Sequence, residues 1–298
     1  MLFRCALTAL QEMYQDGSIT NEFITMDGNS IFEEAGAGNV GMWFAPMWGA
    51  MSPVSNAMKK TPECHITAVS VPDFSGEGDH KTLLKSSADK FFCVSSQCEH
   101  PEALIKVLNL GVQKLCNPES EEEFFRYYSG EGGGTDTAEY KMALFVTLDP
   151  LKNYDNYLKG SAALVSGDTS ELNAEQKGNH TSMEAYLAAM ESGNMNGEDP
   201  AIGAGAGLYT VFGDPKGSYA AIDGLIQNDG FTQSSYQGIP TDVMSEASST
   251  LKKLTIETIV KVITGDSVDT YDTFLENWHA LGGDDVIAEA QNWADSNQ

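Results

Sequence analysis

The residues of this 298-residue chain whose types and spacing could do chemistry are aromatic before they are ionisable. Met42-Trp43-Phe44-Ala45-Pro46-Met47-Trp48 sets two tryptophans around a proline, and flat apolar rings of that kind pair with the C–H faces of sugars. Core packing would use the same rings, so each tryptophan is open to either reading. A pocket for a small neutral solute combines such faces with a few polar groups, and Tyr236-Gln237-Gly238 offers a second wall of the same sort. The ionisable residues are less specific. The five histidines are scattered, and no GxxxxGK(S/T), HExxH or GxSxG motif occurs. Gly203-Ala204-Gly205-Ala206-Gly207 has the wrong spacing for a dinucleotide-binding loop and reads as a glycine-rich break. Asp266, Asp269 and Asp272 lack the glycine and closing glutamate of a calcium loop, and read as solvated residues at a helix start. With 43 Asp and Glu, some carboxylate pair always looks catalytic, so a glycosidase reading rests on no particular pair. No residue is assigned a catalytic or metal-ligating role, and no cofactor is called for.

The elements that must position these residues follow from hydrophobic spacing. Phe3, Leu7, Leu10 and Tyr14 share one helical stripe, with Gly17 as its stop. Val40–Phe44 reads as a strand ended by Pro46, and residues 49–60 as a short helix. Ile66–Val71 and Phe91–Ser95 read as further strands, separated by the loop Asp73–Asp79. Pro101 opens an amphipathic helix carrying Leu104, Val107, Leu108, Val112 and Leu115, with His100 as a polar residue at its entrance. Residues 117–235 are less regular, with breaks at Gly130–Gly134 and Gly203–Gly207 and helical patterns over 151–165, 171–192 and 215–227. Three stripes follow in the tail: Leu251 to Ile263, Phe274 to Leu281, and Val286 to Trp293. Few strands among many helices predict a helix-rich α/β fold.

Lys+Arg 17 against Asp+Glu 43 gives a formal net charge of −26. That balance argues against binding nucleic acid or anionic lipid, since both need cations to displace phosphate counterions. No run approaches the roughly 18 consecutive apolar residues of a membrane span, and Met1–Cys5 does not open a signal peptide. Cys5, Cys64, Cys93, Cys98 and Cys116 are odd in number and show no CxxC, so they suggest neither a disulfide framework nor zinc. Most read as small buried hydrophobes.

Several motifs resemble one family. Tyr236-Gln237-Gly238-Ile239-Pro240-Thr241-Asp242-Val243-Met244, Leu251-Lys252-Lys253-Leu254, Tyr271–Trp278 and Leu281-Gly282-Gly283-Asp284 are similar to the C-terminal signature of extracellular solute-binding proteins of bacterial ABC importers. The likeness is to the sugar-binding lipoproteins of Gram-positive bacteria. His100-Pro101-Glu102-Ala103, Glu12–Gly17 and Gly41–Phe44 occupy the expected order upstream, so the resemblance is collinear over nearly the whole chain. It implies a periplasmic-binding-protein-like (type II) two-lobe fold, a carbohydrate held in the cleft between lobes, and delivery to ABC permease subunits without catalysis. Trp43, Trp48, Tyr236 and Gln237 would then line the cleft. The segments implied are 1–100 with a hinge crossing, 101–235 as a helical lobe with glycine-rich loops, and 236–298 as a helical tail. The resemblance also implies a monomer on the cell surface, with a signal peptide, a lipid-bearing cysteine and part of the first lobe expected ahead of Met1. A carbohydrate-active enzyme and a surface interaction protein on a receptor-like fold are the alternatives.

Overall fold

The computed structural model describes residues 2–71, 81–84, 92–116, 118–129, 139–142 and 145–297. The chain is helix-rich. In order come α1 (Leu2–Gln15), α2 (Gly28–Ala37), α3 (Met51–Ala57), β1 (Thr82–Leu84), α4 (Glu102–Gly111) and α5 (Glu121–Phe124). Then follow α6 (Lys152–Ser166), α7 (Ala174–Glu191), α8 (Pro200–Phe212), α9 (Ser218–Gln227) and β2 (Phe231–Gln233). The tail holds α10 (Asp242–Ile263), α11 (Thr270–Trp278) and α12 (Asp284–Ser296). Helices stand where apolar residues recur at helical spacing, and local chemistry sets their ends. Asn173 and Gln176 cap α7 reciprocally, each side chain accepting from the other's backbone N–H. Thr241 caps α10 by accepting from the Met244 N–H.

The chain divides into two compact units, one comprising Met1–Gly28, Leu83–Ser87 and Thr232–Gln298, the other Asn29–Thr82 and Ala88–Phe231. In the first, α1 lies on α10 and α11. Leu7 is buried along with Leu251, Val262, Ile263 and Phe274, and Phe3 stacks on Tyr271 with centroids 5.1 Å apart. Gln11 Nε2 donates to the carbonyls of Val262 and Asp266, tying the end of α1 to the end of α10. In the second unit, Val54, Met58, Tyr186 and Ala206 form one buried cluster and Met183, Val211, Phe212 and Tyr219 another. β1 and β2 pair through Thr82 N to Gly230 O (2.8 Å) and Ser234 N to Leu84 O (3.3 Å). Both bonds advance in the same direction along the two strands, so the pair is parallel. Each strand starts in the second unit and continues into the first.

Three expectations need correction. Gly203–Gly207 is the middle of helix α8, not a break. Asp199 accepts from the Ala201 N–H at 2.9 Å and Pro200 opens the first turn, so the N-terminus is well specified. Glycine inside a helix costs about 1 kcal/mol each relative to alanine, and close packing offsets that cost. A Cβ at Gly203 would lie 2.5 Å from Ser55 Oγ, and one at Gly207 only 3.0 Å from Met51 O, both on the α3 side. A Cβ at Gly205 would collide with Ser182 O on α7. Three glycines thus let one helix touch two neighbours at backbone range, and residues 145–235 prove more regular than their composition suggested.

Second, Val40–Phe44 and Ile66–Val71 form no strand, nor do residues 92–95. Residues 64–68 are nonetheless extended, with half-buried and exposed positions alternating, and Ala68 N donates to Lys216 O at 2.9 Å. The alternation covers only the first half of the expected strand, since residues 69–71 are all exposed, and among the described residues no partner strand continues the ladder. Third, Cys5, Cys93 and Cys98 are exposed and only Cys64 and Cys116 are half-buried, so most are not core residues. The Asp73–Asp79 and Gly130–Gly134 segments and Phe91 lie outside the described residues.

Candidate functional site

The Trp43–Trp48 segment is a compact turn leading into α3. Trp43 is half-buried, and its indole Nε1 donates to the Gly49 carbonyl at 3.4 Å. Gly49 N donates to Pro46 O at 2.8 Å, and a side chain at Gly49 would collide with Ala45, so the turn closes only with glycine there. Trp48 is 50% exposed, braced edge-on by Phe32 with centroids 5.5 Å apart and planes at 80°. Met42 and Phe44 are 73% and 84% exposed. Beneath them, Met47 and Met51 pack against the Met183–Val211–Phe212–Tyr219 cluster, anchoring the turn to the core of the second unit. The polar handle of one tryptophan is consumed internally, and the ring of the other is half exposed.

Tyr236 and Gln237 belong to the first unit, Trp43 and Trp48 to the second. Tyr236 is held locally. Its hydroxyl donates to Ile239 O at 2.8 Å, and its ring packs on Trp293 at 4.9 Å. Gly238 fits beneath, where a Cβ would sit 2.7 Å from the Trp293 indole. Gln237 is exposed and its Nε2 donates to Ser234 O at 2.5 Å. Beyond the turn, Pro240, Met244, Ser245, Ser248, Leu251 and Val286 line an open groove of about 410 Å³.

Sequence reasoning missed three groups in the second unit. Tyr154, Tyr157 and Tyr219 stand side by side, with centroids 6.0–6.4 Å apart and planes within 31°. The Tyr154 hydroxyl donates to Asp223 Oδ1 at 2.6 Å, which holds the phenol above its usual pKa. The pair Tyr154 and Tyr157, three apart on α6, was legible as a stripe; its partners on α9 were not. Nearby, Lys152 Nζ donates to Glu175 Oε1 at 2.6 Å and lies 5.2 Å from the centre of the Tyr128 ring. Burial opposes the charge on Lys152, but Glu175 and Tyr128 outweigh it and raise the ammonium pKa. Asn156 and His180, each 3% exposed, leave Asn156 Oδ1 and Nδ2 and His180 Nε2 without a partner inside the fold.

The third group joins residues far apart in sequence. Asp214, 4% exposed, accepts from His65 Nε2 at 2.6 Å, and His65 Nδ1 stands 3.5 Å from the Thr67 hydroxyl. Asp269 and Asp272, weighed above as metal ligands, pair instead with Arg4. Among the described residues no three His, Cys, Asp or Glu converge as a metal site, and no helix is long and apolar enough to cross a membrane. No family model, curated protein or solved structure matches this chain.

Proposed function

We propose that this chain captures a carbohydrate for an ABC importer, as the extracellular solute-binding receptor that its motifs resemble. The observation that carries the reading is Trp48: an indole half exposed, packed edge-on with Phe32 and seated on a glycine-closed turn. A large apolar ring kept open in a fixed orientation is what stacking on a sugar face requires, and preorganisation lowers the entropic cost of capture. The two-lobe, type II arrangement is part of the same proposal. Two of the passages between the compact units fall within β1 and β2. Tyr236 would then contribute by shaping its turn, and exposed Gln237 by reading a hydroxyl. Binding, closure and delivery to permease subunits would make or break no bond.

A thermal-shift scan against neutral oligosaccharides tests the reading. A ligand present at a hundredfold excess over its Kd adds about 2.7 kcal/mol, which for a chain of this size is a rise of roughly 5–11 °C. Trp48→Ala should abolish the rise while leaving the unliganded melting point nearly unchanged. A panel in which no sugar moves the midpoint, or a shift that survives loss of both Trp43 and Trp48, would overturn the assignment.

A further inference from the structure

Outside the aromatic turns, one set of side chains has the connectivity of an acyl-transfer relay, and the extended segment 64–68 builds it. Successive residues alternate in direction, so Cys64 and Ile66 pack against the Val54–Met58–Tyr186–Ala206 cluster while His65 and Thr67 are exposed. The inward pair anchors the outward pair. Asp214 lies just after α8, where its N–H bonds to Tyr209 O at 2.7 Å and its Oδ1 accepts from the Lys216 N–H at 2.8 Å. Oδ2 is left to receive His65 Nε2 at 2.6 Å. A carboxylate only accepts, so Nε2 carries the proton and Nδ1 keeps its lone pair. That lone pair stands 3.5 Å from Thr67 Oγ1. The distance is long for a hydrogen bond, as is common at such sites before substrate is bound. The Ala68 to Lys216 backbone bond holds the segment against the Asp214 loop.

We propose that Thr67, His65 and Asp214 form a hydroxyl–imidazole–carboxylate relay that takes acyl groups from activated esters. Thr67 Oγ1 attacks the acyl carbon as its proton passes to His65 Nδ1. The tetrahedral adduct collapses, the ester C–O bond breaks, and the leaving alkoxide takes the proton from Nδ1. Water then repeats the sequence on the acyl-Thr67 ester, giving its proton to Nδ1. The Thr67 oxygen departs, recovers that proton, and a carboxylic acid is released. Asp214 stays ionised throughout, fixing the tautomer and stabilising the imidazolium. Cys64, the neighbouring thiol, is no competitor, because burial raises its pKa and keeps it protonated. This chemistry is independent of sugar capture, since neither aromatic turn takes part.

p-Nitrophenyl acetate and the whole chain suffice for a test. Trypsin cuts after Lys60 and Lys81 and frees a peptide with no lysine or arginine between, so fragment ions can place an acetyl group within it. The relay requires a rapid release of p-nitrophenolate with acetyl on Thr67. Thr67→Val should remove both, and His65→Gln should slow labelling at least ~100-fold, the usual worth of a positioned base. Asp214→Asn should slow it similarly by leaving the wrong tautomer. Because Asp214 also holds its loop, the two exposed variants, checked for an unchanged melting point, are the decisive ones. Acetyl on Cys64 alone, no acetyl on this peptide, or equal labelling of Thr67 in His65→Gln would each overturn the relay.

Discussion

Trp43–Trp48 and Tyr236–Pro240 both place aromatic rings and a proline just ahead of a helix, and both need a glycine at the closest point. In the first turn the indole of Trp43 is tied to Gly49 and the ring of Trp48 is left half open. In the second the phenol is used by Ile239 and the ring is packed on Trp293, 57 residues later in the chain. Similar ingredients therefore give one half-open ring and one ring tied down. What separates them is how the distant partner meets the ring, Phe32 at 80° to Trp48 and Trp293 at 54° to Tyr236, and no local pattern reports that. A stacking role belongs with the first turn, a scaffolding role with the second.

The contrast can be broken in several ways, the largest by alkali. Burial raises the phenol pKa of Tyr128, Tyr157, Tyr186, Tyr209 and Tyr219 above the usual 10.0, and all five lie in the unit that carries the first turn. Lys152 of the same unit is raised above 10.5. A group whose folded pKa is raised contributes stability that is complete below its unfolded value and is lost as pH climbs through the folded one. Alkali should therefore loosen residues 43–58 before residues 236–263, as read by amide exchange. Gly207→Leu comes next: its side chain would meet the Met51 backbone at the end of the first turn, costing about 3 kcal/mol by overpacking. Exchange should rise in the first turn and stay unchanged in the second. Gly238→Ala should do the reverse, at about 1–2 kcal/mol, because its Cβ meets the Trp293 indole. Tyr236→Phe should cost about 0.5–1.5 kcal/mol for the lost bond to Ile239 O. Trp48→Ala should change stability by no more than about 0.5 kcal/mol, as for most surface positions. Finding Trp48 costlier than Tyr236 in denaturant melts would erase the distinction.

Legibility in the sequence followed the range of the forces involved. Periodicity located α4, α6, α7, α9 and the tail helices, because an apolar stripe repeats within one helix, even where, as in α4 and α12, no residue of it is fully buried. It failed at α8, where Gly203, Gly205 and Gly207 suit a helix only because α3 and α7 approach so closely. It half succeeded at the expected strand 66–71, where burial alternates over 66–68 and then stops at exposed residues 69–71. Of the site, the two tryptophans were visible as residue types, but which face stayed open depended on Phe32 and Gly49. The His65–Asp214 bond spans 149 positions and left no local trace.

The docking of α1 onto α10 and α11 bears on how the chain is made. α1 ends at Gln15 and α10 begins at Asp242, so at about 5–20 residues per second the ribosome takes roughly 10–45 s to supply the missing partner. Meanwhile Phe3, Leu7 and Leu10 lack their partners on α10 and α11, whereas the intervening unit can finish folding on the nascent chain. α1 therefore waits longest of the helices in its unit for the partners it packs on here.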